Sequence, residues 1–226
     1  MDTKKKTLSK QDQTMRLTVS AILIALGTVL SLVKIFSMPF GGSVTLCSML
    51  PLLIIGGMYG VKWGLLSGFV YGVLQAILGA TMSQAFAGQN APSVILICIF
   101  DYLLAYTVIG LSGMFLRGEK CKVGKLVAGS LVAMCLIYVC HFVSGAIFYG
   151  EWAEWYFSQE GFYSWGNTIL EKFSGVDLSV VYSAIYNLFY LLPEIIITMV
   201  VAVILFSVKP LQKYIFGGAL GKKAEK

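Results

Sequence analysis

Charge is what this sequence has least of: Asp, Glu, Lys and Arg make up 12% of the 226 residues, against 58% hydrophobic, with a mean hydropathy of +0.81. Soluble domains carry about twice that charge. Histidine occurs once, and proline only five times. Cysteine is present five times, at 47, 98, 121, 135 and 140, without a C-x-x-C pair. An odd, irregularly spaced set excludes a disulfide framework, and one histidine leaves no structural zinc site. Free thiols are expected. The chain also has no G-x-x-x-x-G-K-[ST] loop, no H-E-x-x-H and no G-x-S-x-G. It therefore has no means of its own to hydrolyse ATP, and no nucleophile or metal constellation for hydrolysis.

What remains is a series of apolar runs long enough to cross a bilayer. They predict an all-α integral membrane protein of six transmembrane helices, at about 15–36, 46–58, 63–80, 93–116, 126–149 and 179–208. The second is short. A polar tail, 1–14, precedes them and a basic tail, 209–226, follows. Between the first two runs, Pro39, Gly41 and Gly42 break any helix. The connectors 37–45 and 150–178 read as outer lid loops. The latter carries Glu151, Glu154, Glu160, Glu171 and Asp177 together with Trp152, Trp155, Tyr156 and Trp165, a composition suited to the membrane interface. The net charge of +6 is distributed as topology rather than as a polyanion site. With both termini in the cytoplasm, all but Lys34 and Lys172 of the 17 Lys and Arg lie inside, which is the positive-inside pattern.

Glycines recur at 56, 60, 64, 68 and 72, the spacing of close helix packing. Ala21 and Ala25 form a smaller face of this kind, open either to internal packing or to a partner. Asp101 stands inside an apolar stretch, where an ionised carboxylate costs about 2.5–3.5 kcal/mol on insertion scales. It needs a proton, a partner or a ligand. From the predicted outer helix ends, Asp101, His141 and Asn187 each lie roughly 12 Å deep at 1.5 Å per residue, and Tyr71 is at a similar level. Tyr182, Tyr186, Tyr190 and Glu194 follow at four-residue spacing along the last helix. Glu194, after Pro193, reads equally as a cap for freed backbone groups, a ligand contact or a relay to a partner. A carboxylate ringed by Tyr and His suits a flat, nitrogen-rich cation, through countercharge, hydrogen bonds and cation–π attraction.

These residues resemble the thiamine-specific substrate-binding S components of energy-coupling-factor (ECF) vitamin transporters. The resemblance is carried by Met38 to Leu46, Ser48 to Pro51, Tyr59-Gly60, Gly64 to Leu66, Tyr71-Gly72, Leu74-Gln75, Asp101 to Ala105, His141 to Gly145, Tyr182 to Asn187, and Pro193-Glu194. It implies a six-helix subunit of the bacterial plasma membrane that captures thiamine from outside, performs no covalent chemistry and needs no cofactor. Partners would be a transmembrane scaffold subunit and two ATPases. The implied substrate-binding residues are Asp101, Tyr102, His141, Tyr182 and Asn187, with Tyr71 and Tyr149 supplying stacking or hydroxyl contacts; Tyr186 joins them as a candidate from its place in the tyrosine stripe. Ala21 and Ala25 resemble the face that docks the scaffold. Three features depart from the family pattern: Asp101 replaces a Glu of some members, no Trp occupies the first outer loop, and the segment 151–177 is long. Two alternatives stay open: an S component for another vitamin or a thiamine precursor, and a stand-alone proton-coupled carrier with Asp101 and Glu194 as relay.

Overall fold

The computed structural model describes residues 9–83, 85–116 and 122–216. Lys4 to Lys6, most of the basic connector from Arg117 to Cys121, and the tail beyond Phe216 lie outside the described residues. Helix α1, Lys10–Leu32, starts inside the segment expected to be a tail, because the Ser9 hydroxyl accepts the Asp12 N–H at 3.1 Å and caps it. Its Ser20 accepts from the indole of Trp63 at 2.8 Å, and the Arg16 guanidinium stacks 3.8 Å over the same ring. Gly27 lets α1 approach the next helix closely, since a Cβ there would fall 2.9 Å from the Ser48 carbonyl oxygen. Ala21 and Ala25 are exposed, as are Leu17, Ile22 and Val29 around them.

The chain is not all-α as expected, because it contains a short β-hairpin. Lys34–Ser37 (β1) and Ser43–Thr45 (β2) pair antiparallel around a 3₁₀ turn at Pro39–Gly41. Pro39 presets the turn, and Gly41 supplies φ 111° at its end. The run 46–58 condenses into a ten-residue helix, α2, Leu50–Tyr59. At about 15 Å this is roughly half the hydrocarbon thickness. Leu52, Leu53 and Ile55 are fully buried, so α2 is a packed core element and not by length a span. Gly60, at φ 80°, turns the chain into α3, Val61–Met82.

The next span, Ala91–Gly113, is not one regular helix. Asn90 caps it by accepting the Ser93 N–H. It then runs as α4 (Ala91–Ile97), a π-helical segment (Cys98–Leu104), α5 (Ala105–Thr107) and a 3₁₀ stretch (Val108–Gly113). Glycines of α3 face it: Cβ atoms at Gly64, Gly68 and Gly72 would meet its backbone at 2.8, 2.3 and 2.7 Å. Helix α6, Lys122–Phe148, packs along both this span and α9, Gly175–Ser207. The segment 150–178 is not a plain loop, because it folds into α7 (Ala153–Phe157) and α8 (Tyr163–Lys172). The segment 209–226, expected as a tail, starts as a short helix, α10 (Lys209–Phe216), whose Ile215 is buried near Gly57 of α2.

Among the described residues, five helices are long and apolar enough to cross a membrane: α1, α3, the 91–113 span, α6 and α9. Their outer faces keep Leu66, Ile77, Ile95, Ile147 and Ile204 exposed, which water would penalise and lipid would not. Cys47, Cys98, Cys135 and Cys140 are free thiols, while Cys121 lies outside the described residues.

Because Gly68 touches backbone rather than a movable side chain, Gly68→Val should cost about 1–3 kcal/mol by overpacking. Gly124→Ala, with nothing within 4 Å, should cost nothing. Thermal unfolding in detergent checks the pair: a fall in Tm confined to Gly68→Val is expected.

Candidate functional site

A chamber of about 400 Å³ opens between the hairpin, α3, the 91–113 span, α6 and α9. That volume falls in the roughly 300–1,000 Å³ range of small-molecule sites. Asp101 enters it from the π-helical segment. An i→i+5 turn widens the helix and redirects its side chains, and such segments concentrate at functional sites. Asp101 Oδ1 lies 2.9 Å from His141 Nδ1, and Oδ2 accepts the Ser144 hydroxyl at 2.7 Å. His141 and Ser144 are three residues apart on α6, so one face of that helix holds both oxygens. A carboxylate here accepts the Nδ1–H of the imidazole as a hydrogen bond, which leaves Nε2 as the ring's second polar atom.

Helix α9 supplies the opposite wall. Tyr182, Tyr186, Tyr190 and Glu194, spaced by four, all line the chamber, with Asn187 beside them. The Asn187 amide donates to the His141 and Ser183 carbonyls at 3.2 and 2.9 Å, and its oxygen accepts the Tyr190 hydroxyl at 2.8 Å. The Asn thus fastens α9 to α6 and aims Tyr190. The Tyr182 and Tyr186 rings are 5.4 Å apart and tilted by 43°, and Tyr190 stands edge-on to both Tyr186 and His141. Tyr102 reaches the chamber over Gly79, where any Cβ would fall 2.1 Å from its hydroxyl. The Tyr149 hydroxyl donates to the Ala85 carbonyl at 2.6 Å, holding the connector after α3 against α6.

Seven of the eight residues expected to bind substrate therefore line one chamber: Asp101, Tyr102, His141, Tyr149, Tyr182, Tyr186 and Asn187. Tyr71 does not. It is fully buried behind the wall, its hydroxyl donating to the Gly27 carbonyl at 3.3 Å and its ring edge-on to Tyr106. Depth along α3 could not reveal which way its side chain turns. Of the two expected lids, the hairpin lines the chamber through Gly41, Gly42 and Ser43. The segment 150–178 contributes no lining residue; its Tyr156 instead backs the rings of Tyr182 and Tyr186 at 5.3 and 5.5 Å. Burial pushes the Tyr156 phenol up to about 12, so it serves as a neutral packing ring.

Sequence reasoning did not select Ser144, Gln75 or Tyr106, all of which contribute to this region. Ser144 was findable, since it shares a helix face with His141. Gln75, donating to Ser31 at 2.9 Å, stood only in the Leu74-Gln75 pair of the resemblance, and nothing in its spacing marks a role. Among the described residues, no group of three or more His, Cys, Asp or Glu could hold a metal ion.

The chamber of this multi-helix protein gathers tyrosines, one carboxylate–imidazole pair and a second carboxylate, a set of groups suited to a small, flat, cationic molecule. The comparisons name the molecule's family. A family model described as Thiamine transporter protein (Thia_YuaJ) matches residues 17–165. The Thiamine transporter ThiT of Bacillus subtilis (strain 168) is 30% identical over 214 residues, covering 90% of this chain and 96% of that protein. A ThiT of Lacticaseibacillus paracasei is 28% identical over 118 residues, 46% of this chain and 54% of the relative. A solved structure of ThiT from Listeria monocytogenes superposes with a TM-score of 0.60 at 21% identity, covering 88% of this chain and 96% of that one, which shows the shared fold. The chain belongs to the thiamine transporter family and is a multi-pass bacterial membrane protein.

The Asn187 bonds predict their own test. Asn187→Leu strands the Tyr190 hydroxyl and the His141 carbonyl, at a cost of about 1–3 kcal/mol. Thermal unfolding of the ligand-free protein should register that loss, and Asn187→Asp, which keeps the acceptor for Tyr190 but turns a carboxyl oxygen toward the His141 and Ser183 carbonyls, should lose at least as much.

Proposed function

We propose that this chain is the substrate-binding S component of an ECF-type transporter, a six-helix unit with both termini cytoplasmic whose chamber opens outward and captures thiamine. The observation that carries this reading is Asp101, gripped on both oxygens by α6 and facing the tyrosines of α9 across a chamber of ligand size. Thiamine joins an aminopyrimidine to a cationic thiazolium. The aminopyrimidine offers donor and acceptor nitrogens that a carboxyl, His141 Nε2 and the Asn187 amide can meet. The thiazolium is a soft planar cation suited to the faces of Tyr182, Tyr186 and Tyr102. No covalent step is needed, and the protein is of a non-enzyme kind.

Several features favour the finer points. The charge distribution supports cytoplasmic termini. The exposed Ala21 and Ala25, on an apolar face of α1, favour docking to a transmembrane scaffold subunit, because small residues let a partner helix approach closely. The missing phosphate loop leaves ATP hydrolysis to separate ATPase subunits. In this scheme the hairpin covers loaded thiamine, and the partners reorient or open the unit to release it inward.

Titration of detergent-purified protein with thiamine, followed by Trp and Tyr fluorescence, should give saturable quenching. Asp101→Ala should weaken binding at least tenfold, about 1.4 kcal/mol or more. Unchanged affinity in that variant would remove Asp101 from the site, and tighter binding of riboflavin or free pyrimidine would reassign the substrate. Vesicles holding this chain alone should take up no thiamine under a pH gradient, and should do so with ATP once scaffold and ATPases are added. Gradient-driven uptake without them would establish the proton-coupled carrier instead.

A further inference from the structure

Glu194 is 1% exposed inside α9, directly after Pro193, and the binding reading gives it no task. Its two oxygens are already engaged by a single residue 149 positions away: Oε2 accepts the Thr45 N–H at 2.6 Å and Oε1 accepts the Thr45 hydroxyl at 2.9 Å. Ser48 Oγ lies 2.7 Å from the same Thr45 oxygen, extending the network into the turn before α2. A carboxylate buried in a span demands such donors, and the demand is met by β2 of the hairpin that walls the chamber.

The rest of the hairpin is held to the same helix. The Tyr186 hydroxyl donates to the Pro39 carbonyl, and Gly42 approaches Tyr190 so closely that a Cβ would fall 2.7 Å from its ring. Just past β2 the chain passes through Cys47 at φ 56°, a left-handed conformation that non-glycine residues seldom adopt. At that turn the hairpin joins α2, a fully packed element. The hairpin is therefore a short unit that leaves α1 directly, ends at a left-handed turn before α2 and is held along its length by α9. The Glu194–Thr45 contact is its most deeply buried polar attachment and lies nearest that turn.

We propose that Glu194 is a positioning residue that latches the hairpin over the chamber, acting through Thr45 rather than by touching substrate. Pro193 removes the N–H that would bond the Phe189 carbonyl, so α9 is locally weakened where it grips the hairpin. Bending there would carry Glu194 away from Thr45 and free the cover. The inference rests on the binding function proposed above, and names what holds the bound state closed.

The test is hydrogen exchange of the ligand-free full chain, paired with stopped-flow release of thiamine. Glu194→Ala should raise exchange across residues 38–46 at least tenfold, leave α3 and α6 unchanged, and speed thiamine release at least tenfold. Glu194→Gln, which can still accept the Thr45 N–H and donate to the Thr45 hydroxyl, should stay within threefold of the parent in both readouts. Equal weakening of thiamine binding by both substitutions, with exchange of 38–46 unchanged, would make Glu194 a countercharge for substrate and overturn the latch. If Glu194→Ala loosens every span, Thr45→Val decides, because it keeps the carboxylate and removes one donor: faster exchange confined to 38–46 supports the latch, and no change there overturns it. Should the parent protein bind no thiamine, the binding function falls while the exchange readout still judges the latch.

Discussion

A carboxylate inside an apolar span is tolerated only where something receives it, and most of this molecule's interior is organised around receiving Asp101. Its oxygens meet His141 and Ser144 on one face of α6. The backbone of His141 in turn accepts from Asn187, whose own oxygen orients Tyr190. One partly buried acid thereby ties three spans together and helps fix the tyrosines that face it. The π-helical segment from Cys98 to Leu104 places the acid where α6 can reach it. Close packing of α3 against that span, possible only because Gly64, Gly68 and Gly72 lack side chains, leaves the chamber on the far side open.

The two carboxylates divide the work by their surroundings. Asp101 is 14% exposed to the chamber and retains directions from which a ligand can approach. Glu194, at 1%, is engaged on both oxygens by Thr45. In the proposed function the first meets a cation, whereas the second holds backbone. That contrast also explains why the tyrosine stripe of α9 continues past the ligand-facing rings. Its upper members form the wall, and its last member anchors the strand that covers it.

Much of this was legible beforehand. Apolar runs marked the five long helices, and the carboxylate, the lone histidine and Asn187 stood out because such groups are costly in hydrocarbon. The four-residue spacing from Tyr182 to Glu194 predicted one common face, and all four line the chamber. Other features left no linear signal. The hairpin depends on a turn whose flanking strands are three and four residues long, too short for alternation to register. The ten-residue α2 looked like a span because its buried face and a lipid face have the same composition. The π turn and the bond between Thr45 and Glu194 arise from tertiary fit, and Tyr71 shares the depth of the site while turning toward α1.

The most direct measurement is a crystal structure of the protein grown with thiamine. The account predicts ligand density filling the chamber, with the aminopyrimidine within hydrogen-bond distance of the Asp101 carboxylate and the thiazolium against the tyrosine rings of α9. Thiamine bound elsewhere, or lying in the chamber with Asp101 still turned only to His141 and Ser144, would contradict it.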